Sequence, residues 1–184
     1  MPTRFNETKA AELAAYFLQK SGGEMFLLKL LKLLYIAERE SIRETGRSIT
    51  CDRFVSMDHG PVLSRTLNLM NGTVQGGGSW TAMIAPRNGH KLSITDESEV
   101  AFDELSEREL EIADRVFEKY GHVPRFELAD LTHQFGEWHD PKGSSIPIEF
   151  EEILTAVGYD SDEIDALREE LSEQRAMDAY LEAV

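Results

Sequence analysis

The chain has 184 residues, 41% of them hydrophobic and 29% charged, with a formal net charge of −15; that is enough for one domain with a real core, or one domain plus an appendage. No apolar run reaches the ~18–20 residues of a membrane span, and the N-terminus lacks the apolar stretch of a signal peptide. The single Cys51 cannot close an internal disulfide, so a cytoplasmic protein with no membrane partner is expected.

The first predicted helix runs from Thr8, as its cap, to Lys20, with Ala10, Leu13, Ala14, Phe17 and Leu18 on one face. Ser21-Gly22-Gly23 ends it. A second helix is predicted from Glu24 to Thr45, with Gly46 just past its end. Its residues Leu28-Lys-Leu-Leu-Lys-Leu-Leu-Tyr35 are apolar on nearly every side. At 100° per residue, Lys29, Lys32, Arg39, Glu40 and Arg43 fall within an arc of roughly 100°. A helix apolar except for one stripe is surrounded by other elements, and each fully buried Leu contributes about 1.5–3 kcal/mol. The stripe reads as a solvated face with occasional ion pairs, or as a strip facing a partner.

Arg47 to Asp58 reads as a connection anchored by Phe54, Val55 and Met57. In His59-Gly60-Pro61-Val62, Pro61 suits the first turn of a helix, predicted over Pro61 to Met70 and ended by Asn71-Gly72. Trp80–Ile84 and Lys91–Ile94 read as the strands of a small β-hairpin, with Arg87-Asn88-Gly89 as its turn. Ser106-Glu107-Arg108-Glu109 is a capping box opening a helix that ends at Tyr120-Gly121. A short helix over Phe126–Phe135 follows, and Trp138-His139-Asp140-Pro141 forms a packed corner. Pro147 opens a helix to about Ala156. From Ser161 onward an acidic amphipathic helix is expected, with Ile164, Leu167, Leu171, Met177 and Leu181 as a thin apolar seam. The expected fold is mostly α: a compact multi-helix domain over residues 1–158 with a small β-hairpin, and an acidic C-terminal helix or extension over 159–184.

Residues 1–95 hold 12 basic and 8 acidic side chains, a net of +4, and residues 96–184 hold 7 and 26, a net of −19. Phosphate backbones should be repelled by the second half, which argues against nucleic-acid binding. Solubility and paired surface charge explain the asymmetry, and a basic partner surface docked by the acidic half is the sharper alternative.

No catalytic constellation emerges. His59 before a Gly-Pro turn reads as a structural residue bonding the backbone. The spacing of His133 and His139 suits neither adjacent helical turns nor a zinc finger, so no metal is expected. Cys51 and His59 lack the signature of a nucleophile and base, and Gly76-Gly77-Gly78 lacks the Lys-Ser/Thr of a phosphate loop. The chain is therefore expected not to be an enzyme and to need no cofactor.

Met25-x-x-Leu28-Lys29-Leu30-x-Lys32-Leu33-Leu34-Tyr35, then Gly46, Phe54 and His59-Gly60-Pro61-Val62, resembles the Panacea domain of SocA-like antitoxins of bacteria and phages. Leu131-Thr132-His133 and Trp138-His139-Asp140-Pro141 match the family's later Trp/His-Pro corner, and the resemblance covers about Ala11 to Asp140. The chain departs from the pattern at Ile36-Ala37-Glu38, where members often carry an aromatic, and in the acidic extension after Gly158. The resemblance implies a helical, cytoplasmic antitoxin in a toxin-antitoxin system, which neutralises a cognate protein toxin by direct contact or delivers it to a protease. Leu33, Leu34, Tyr35, His59, Gly60, Pro61, Val62, Trp138 and Pro141 are then its structural motif. Lys29, Lys32, Arg39, Arg43 and His59 are the candidate partner contacts, beside the acidic C-terminal helix. A DNA-binding autoregulator is the remaining alternative, against which the acidity argues.

Overall fold

The computed structural model describes residues 4–95 and 101–182, and the side chains of all these except 174, 175 and 178–182. Eight helices and five short strands follow in chain order. Helix α1 (Glu7–Lys20) is capped by Asn6, whose side chain accepts from the Lys9 N–H at 3.0 Å. Thr8, the expected cap, instead shares a hydrogen bond with Ser79. Strand β1 (Glu24–Phe26) takes the place of the expected first turn of the second helix, which begins three residues later as α2 (Leu27–Thr45). Gly22 and Gly23 both have positive φ, and β1 then pairs antiparallel with β4 (Lys91–Ser93), Met25 opposite Leu92. Tertiary pairing thus overrides the helical spacing of Met25 and Phe26.

The region expected to form the hairpin is partly helical. Trp80 to Met83 lie in α4 (Ser79–Met83), where Glu7 accepts from the Trp80 N–H and the indole is buried. Part of that pairing remains: antiparallel bridges join Ile84 to Ile94 and Asn88 to Lys91, and the Ala85 and Thr95 N–H groups donate to the Ser93 and Met83 carbonyls. A hairpin forms elsewhere, between β2 (Phe54–Met57) and β3 (Gly60–Leu63), with Asp58 and His59 as its turn. Pro61 therefore sits in a strand and not in a helical first turn. It has no N–H to offer a ladder, and β3 is an edge of the β3–β2–β5 sheet. Helix α3 (Ser64–Asn71) starts after it. Strand β5 (Ile146–Ile148) carries Pro147 on the opposite edge, so the next helix, α7 (Phe150–Val157), begins later than expected.

Helix α5 (Glu107–Tyr120) has the predicted capping box, with Ser106 and Glu109 each bonding the other's backbone N–H. Helix α6 (Arg125–Thr132) follows. Around α2 pack α1, α5, α6, α7 and β3. Leu30, Leu33, Leu34, Tyr35, Ala37 and Ile42 have no exposed surface, as an encircled helix requires. Helix α8 (Ser161–Glu182) docks by Ile164, Leu167 and Leu171, with Leu167 closing over Gly46 at the end of α2. Met177, expected in that seam, is 61% exposed, and the Leu181 side chain lies outside the described residues. No helix among the described residues is long and apolar enough to cross a membrane.

Candidate functional site

Several polar residues of α2 are buried, and between them they tie down the hairpin, the turn at residues 48–50 and the corner at Glu137. Lys32 has no exposed surface, and its ammonium donates to the Pro61 carbonyl of β3 at 2.7 Å. Burial alone pushes its pKa from 10.5 down to about 7, because no carboxylate repays the lost hydration. One turn on, the Tyr35 hydroxyl donates to Glu137 at 3.1 Å, and the Arg39 Nε donates to the same oxygen at 2.8 Å. Burial and the Glu137 charge hold the Tyr35 phenol well above its ordinary range. Phe135 stacks on Tyr35, and the Arg39 guanidinium lies 4.3 Å above the Phe135 ring.

Glu38 points to the other side of α2 and is also fully buried. It accepts from the Ser48 hydroxyl, the Ile49 and Thr50 N–H groups and the Thr50 hydroxyl. Burial raises its pKa, and these four donors oppose the rise. Asp52 serves the next segment, accepting from the Arg65 and Thr66 N–H groups at the start of α3 and from the Thr66 hydroxyl.

These ties position one exposed feature, the tip of the β2–β3 hairpin. Gly60 packs so tightly that a Cβ there would overlap Thr132 Oγ1 and crowd the Lys32 ammonium, and its φ of +89° favours glycine. Behind the tip, the Trp138 indole donates to the Met57 carbonyl at 3.1 Å, and His133 Nε2 lies 3.1 Å from the Asp58 carbonyl. The His133 and Trp138 rings sit 4.4 Å apart. The Gly143 N–H donates to the Asp58 carboxylate, and the His139 N–H to Ser56. Pro141 is buried in the same corner. Leu33, Leu34, Tyr35 and Val62 are buried in the core, and Gly60, Pro61, Trp138 and Pro141 lie in the hairpin and the corner behind it.

The candidate contact residues do not share a face. Lys32 is enclosed, and Arg39 is held against Glu137. The Lys29 ammonium donates to the Gly121 carbonyl, with its pKa lowered by burial. Arg43 is half exposed and paired with Glu40 and Glu44. The basic stripe of α2 is therefore neither a solvated face nor a continuous strip, because α6, β3 and the corner at Glu137 cover most of it. His59 stands apart at the exposed tip, and its side chain has no partner among the described residues, unlike the backbone-bonding role expected of it.

Sequence reasoning passed over Asp52 and Glu137, and named Glu38 and Thr132 without giving them a role. Only Glu38 carried a signal: it lies about 180° around α2 from Lys29, on the apolar side, where a charge must find donors.

A family model described as antitoxin SocA-like, Panacea domain, matches residues 30–139. That span starts inside α2 and ends at the Trp138-His139 corner, and so holds the hairpin and the Lys32 and Glu137 ties. No curated protein and no solved structure matches the chain.

Proposed function

The chain belongs to the antitoxin SocA-like Panacea family, and from that premise we propose that it neutralises a cognate protein toxin in the cytoplasm by direct binding, without catalysis. The family match carries the reading. Two surfaces support direct contact. One is the hairpin tip, where exposed His59 is presented on a scaffold fixed from behind by Lys32, Trp138 and His133. Preorganised loops lose little entropy on binding. Arg43 is the other exposed member of the predicted contact set, whereas Lys32 and Arg39 act through the hairpin and corner they hold.

The second surface is α8. Asp162, Glu163, Asp165, Glu169, Glu170 and Glu173 are all exposed along it. Glu170 pairs with Arg47, and Asp165 with Arg168. The remaining carboxylates form an anionic strip suited to a basic active or substrate-binding surface, such as one that holds a nucleotide or tRNA.

Co-expression with the product of each open reading frame adjacent to this gene, the toxin being the one that stops growth alone, tests the reading. That product alone should stop growth, the pair should grow, and the toxin's abundance should be unchanged. Growth arrest that persists with the pair would refute neutralisation. Rescue accompanied by loss of the toxin would instead favour delivery to a protease.

A further inference from the structure

We propose that the groove between Phe5, β2, the start of α3 and β5 is a binding site for a short acidic and partly apolar peptide segment of a partner protein. The groove encloses about 630 Å³. Its rim carries Arg4, Arg53 and Arg65, the first two exposed and the third half-buried. Arg65 lies 5.5 Å above the Phe5 ring, and none of the three guanidiniums has a hydrogen bond or ion pair among the described residues.

That is unexpected in a chain with 34 acidic residues against 19 basic ones. Many of the other cations find carboxylates: Lys9 pairs with Glu109, Lys20 with Asp114, Arg115 with Glu44 and Arg168 with Asp165. The groove's own carboxylates do not neutralise the rim. Asp52 is buried and committed to the donors of α3, and Glu149 stands at the start of α7. Three unpaired guanidiniums around one concavity are donors for carboxylates, which Arg holds with two parallel N–H bonds.

The floor decides between anions. Phe54, Ile148 and Phe150 are almost wholly buried beneath the groove, and Val55 is partly exposed in it. Apolar side chains alternating with carboxylates satisfy floor and rim together. A nucleic acid carries a charge on every nucleotide, twice the density of a peptide that alternates carboxylates with apolar residues, so the field of a −15 chain opposes it more strongly. This site is separate from the hairpin tip and from α8, so it stands whether or not the chain is an antitoxin.

The test titrates the full-length protein with a fluorescein-labelled peptide alternating glutamate and leucine, its lysine-leucine counterpart, and a single-stranded oligothymidylate of equal length. The glutamate peptide should bind, shifting the amide resonances of Phe5, Val55 and Ile148. The lysine peptide should leave those three resonances unshifted. Arg53→Glu with Arg65→Glu should weaken binding at least tenfold, and Arg53→Gln alone, at an exposed position, should weaken it measurably with an unchanged melting temperature. Arg87→Glu, remote from the groove, should leave it unchanged. No binding of the glutamate peptide, binding indifferent to both Arg53 variants, or preferential binding of the oligothymidylate would overturn the proposal.

Discussion

Replacing Lys32 by methionine isolates the most exposed consequence of the buried scaffold, a pH dependence of stability. The amine is wholly enclosed, and its pKa is depressed from 10.5 to about 7 by burial. A lysine whose folded pKa is lowered binds fewer protons folded than unfolded between those two values. Stability therefore rises with pH across that window, and the cost of charging the amine is fully present below pH 7. The difference of 10.5 and about 7 corresponds to about 5 kcal/mol at 1.36 kcal/mol per unit. Between about pH 7.5 and 9.5, linkage with these two values gives a rise of about 2–3 kcal/mol. Urea unfolding followed by circular dichroism, for the wild type and Lys32→Met at each pH, measures it. The difference between the two proteins is the useful quantity, because the other titrating groups cancel. The wild type should gain about 2–3 kcal/mol on the variant across the window. A difference that stays flat would mean that Lys32 keeps its charge when folded, and that the Pro61 carbonyl is not its main partner.

Three further outcomes follow from the same contacts. Gly60→Ala should destabilise by about 3 kcal/mol or more, from overlap with Thr132 and from the positive φ; Thr132→Ala in the same chain should recover part of that loss, and thermal melts of both single variants and the double variant decide it. Glu38→Gln places an amide NH₂ among four donors, so a loss of about 1–3 kcal/mol by chemical denaturation is expected; an unchanged midpoint would mean those donors have other acceptors. A toxin complex held by α8 should weaken sharply in about 0.5 M salt, since exposed charges are screened within a few ångströms there; isothermal titration that finds no salt effect would remove α8 from the interface.

The helices were more legible in the sequence than the strands. α2 was legible because encirclement leaves a pattern, apolar residues on nearly all sides ended by Gly46, which takes the left-handed φ its position demands. The capping box of α5 was legible because both its bonds are local. Strand β1 was not, because Met25 and Phe26 become a strand only through residues 65 or more positions away in the chain. Likewise, Trp80 joins a helix because Glu7, at the start of α1, reaches its N–H. At the hairpin, the sequence rightly marked His59-Gly60-Pro61 as a break, but the helix expected after it starts only where Asp52 supplies the acceptors. Spacing on one element cannot reveal an acceptor on another.

The basic stripe of α2 failed as a surface for a related reason, and the failure explains the architecture. Helical geometry put Lys29, Lys32, Arg39 and Arg43 on one side, but the second half of the chain supplies the lid: the Gly121 carbonyl for Lys29 and Glu137 for Arg39. Such burial is costly unless every donor and acceptor is met, and among the described side chains no buried polar atom lacks a partner. Each polar residue that α2 buries reaches a loop: Lys32 the hairpin, Glu38 the turn at residues 48–50, Tyr35 and Arg39 the corner at Glu137. Packing of apolar faces would hold the helices together without them. What the buried polar groups add is a hydrogen-bonded fixing of the backbone in the segments between the helices. The hairpin and the corner behind it are therefore held in place by α2, the helix that carries much of the recognisable sequence, through its buried polar side chains.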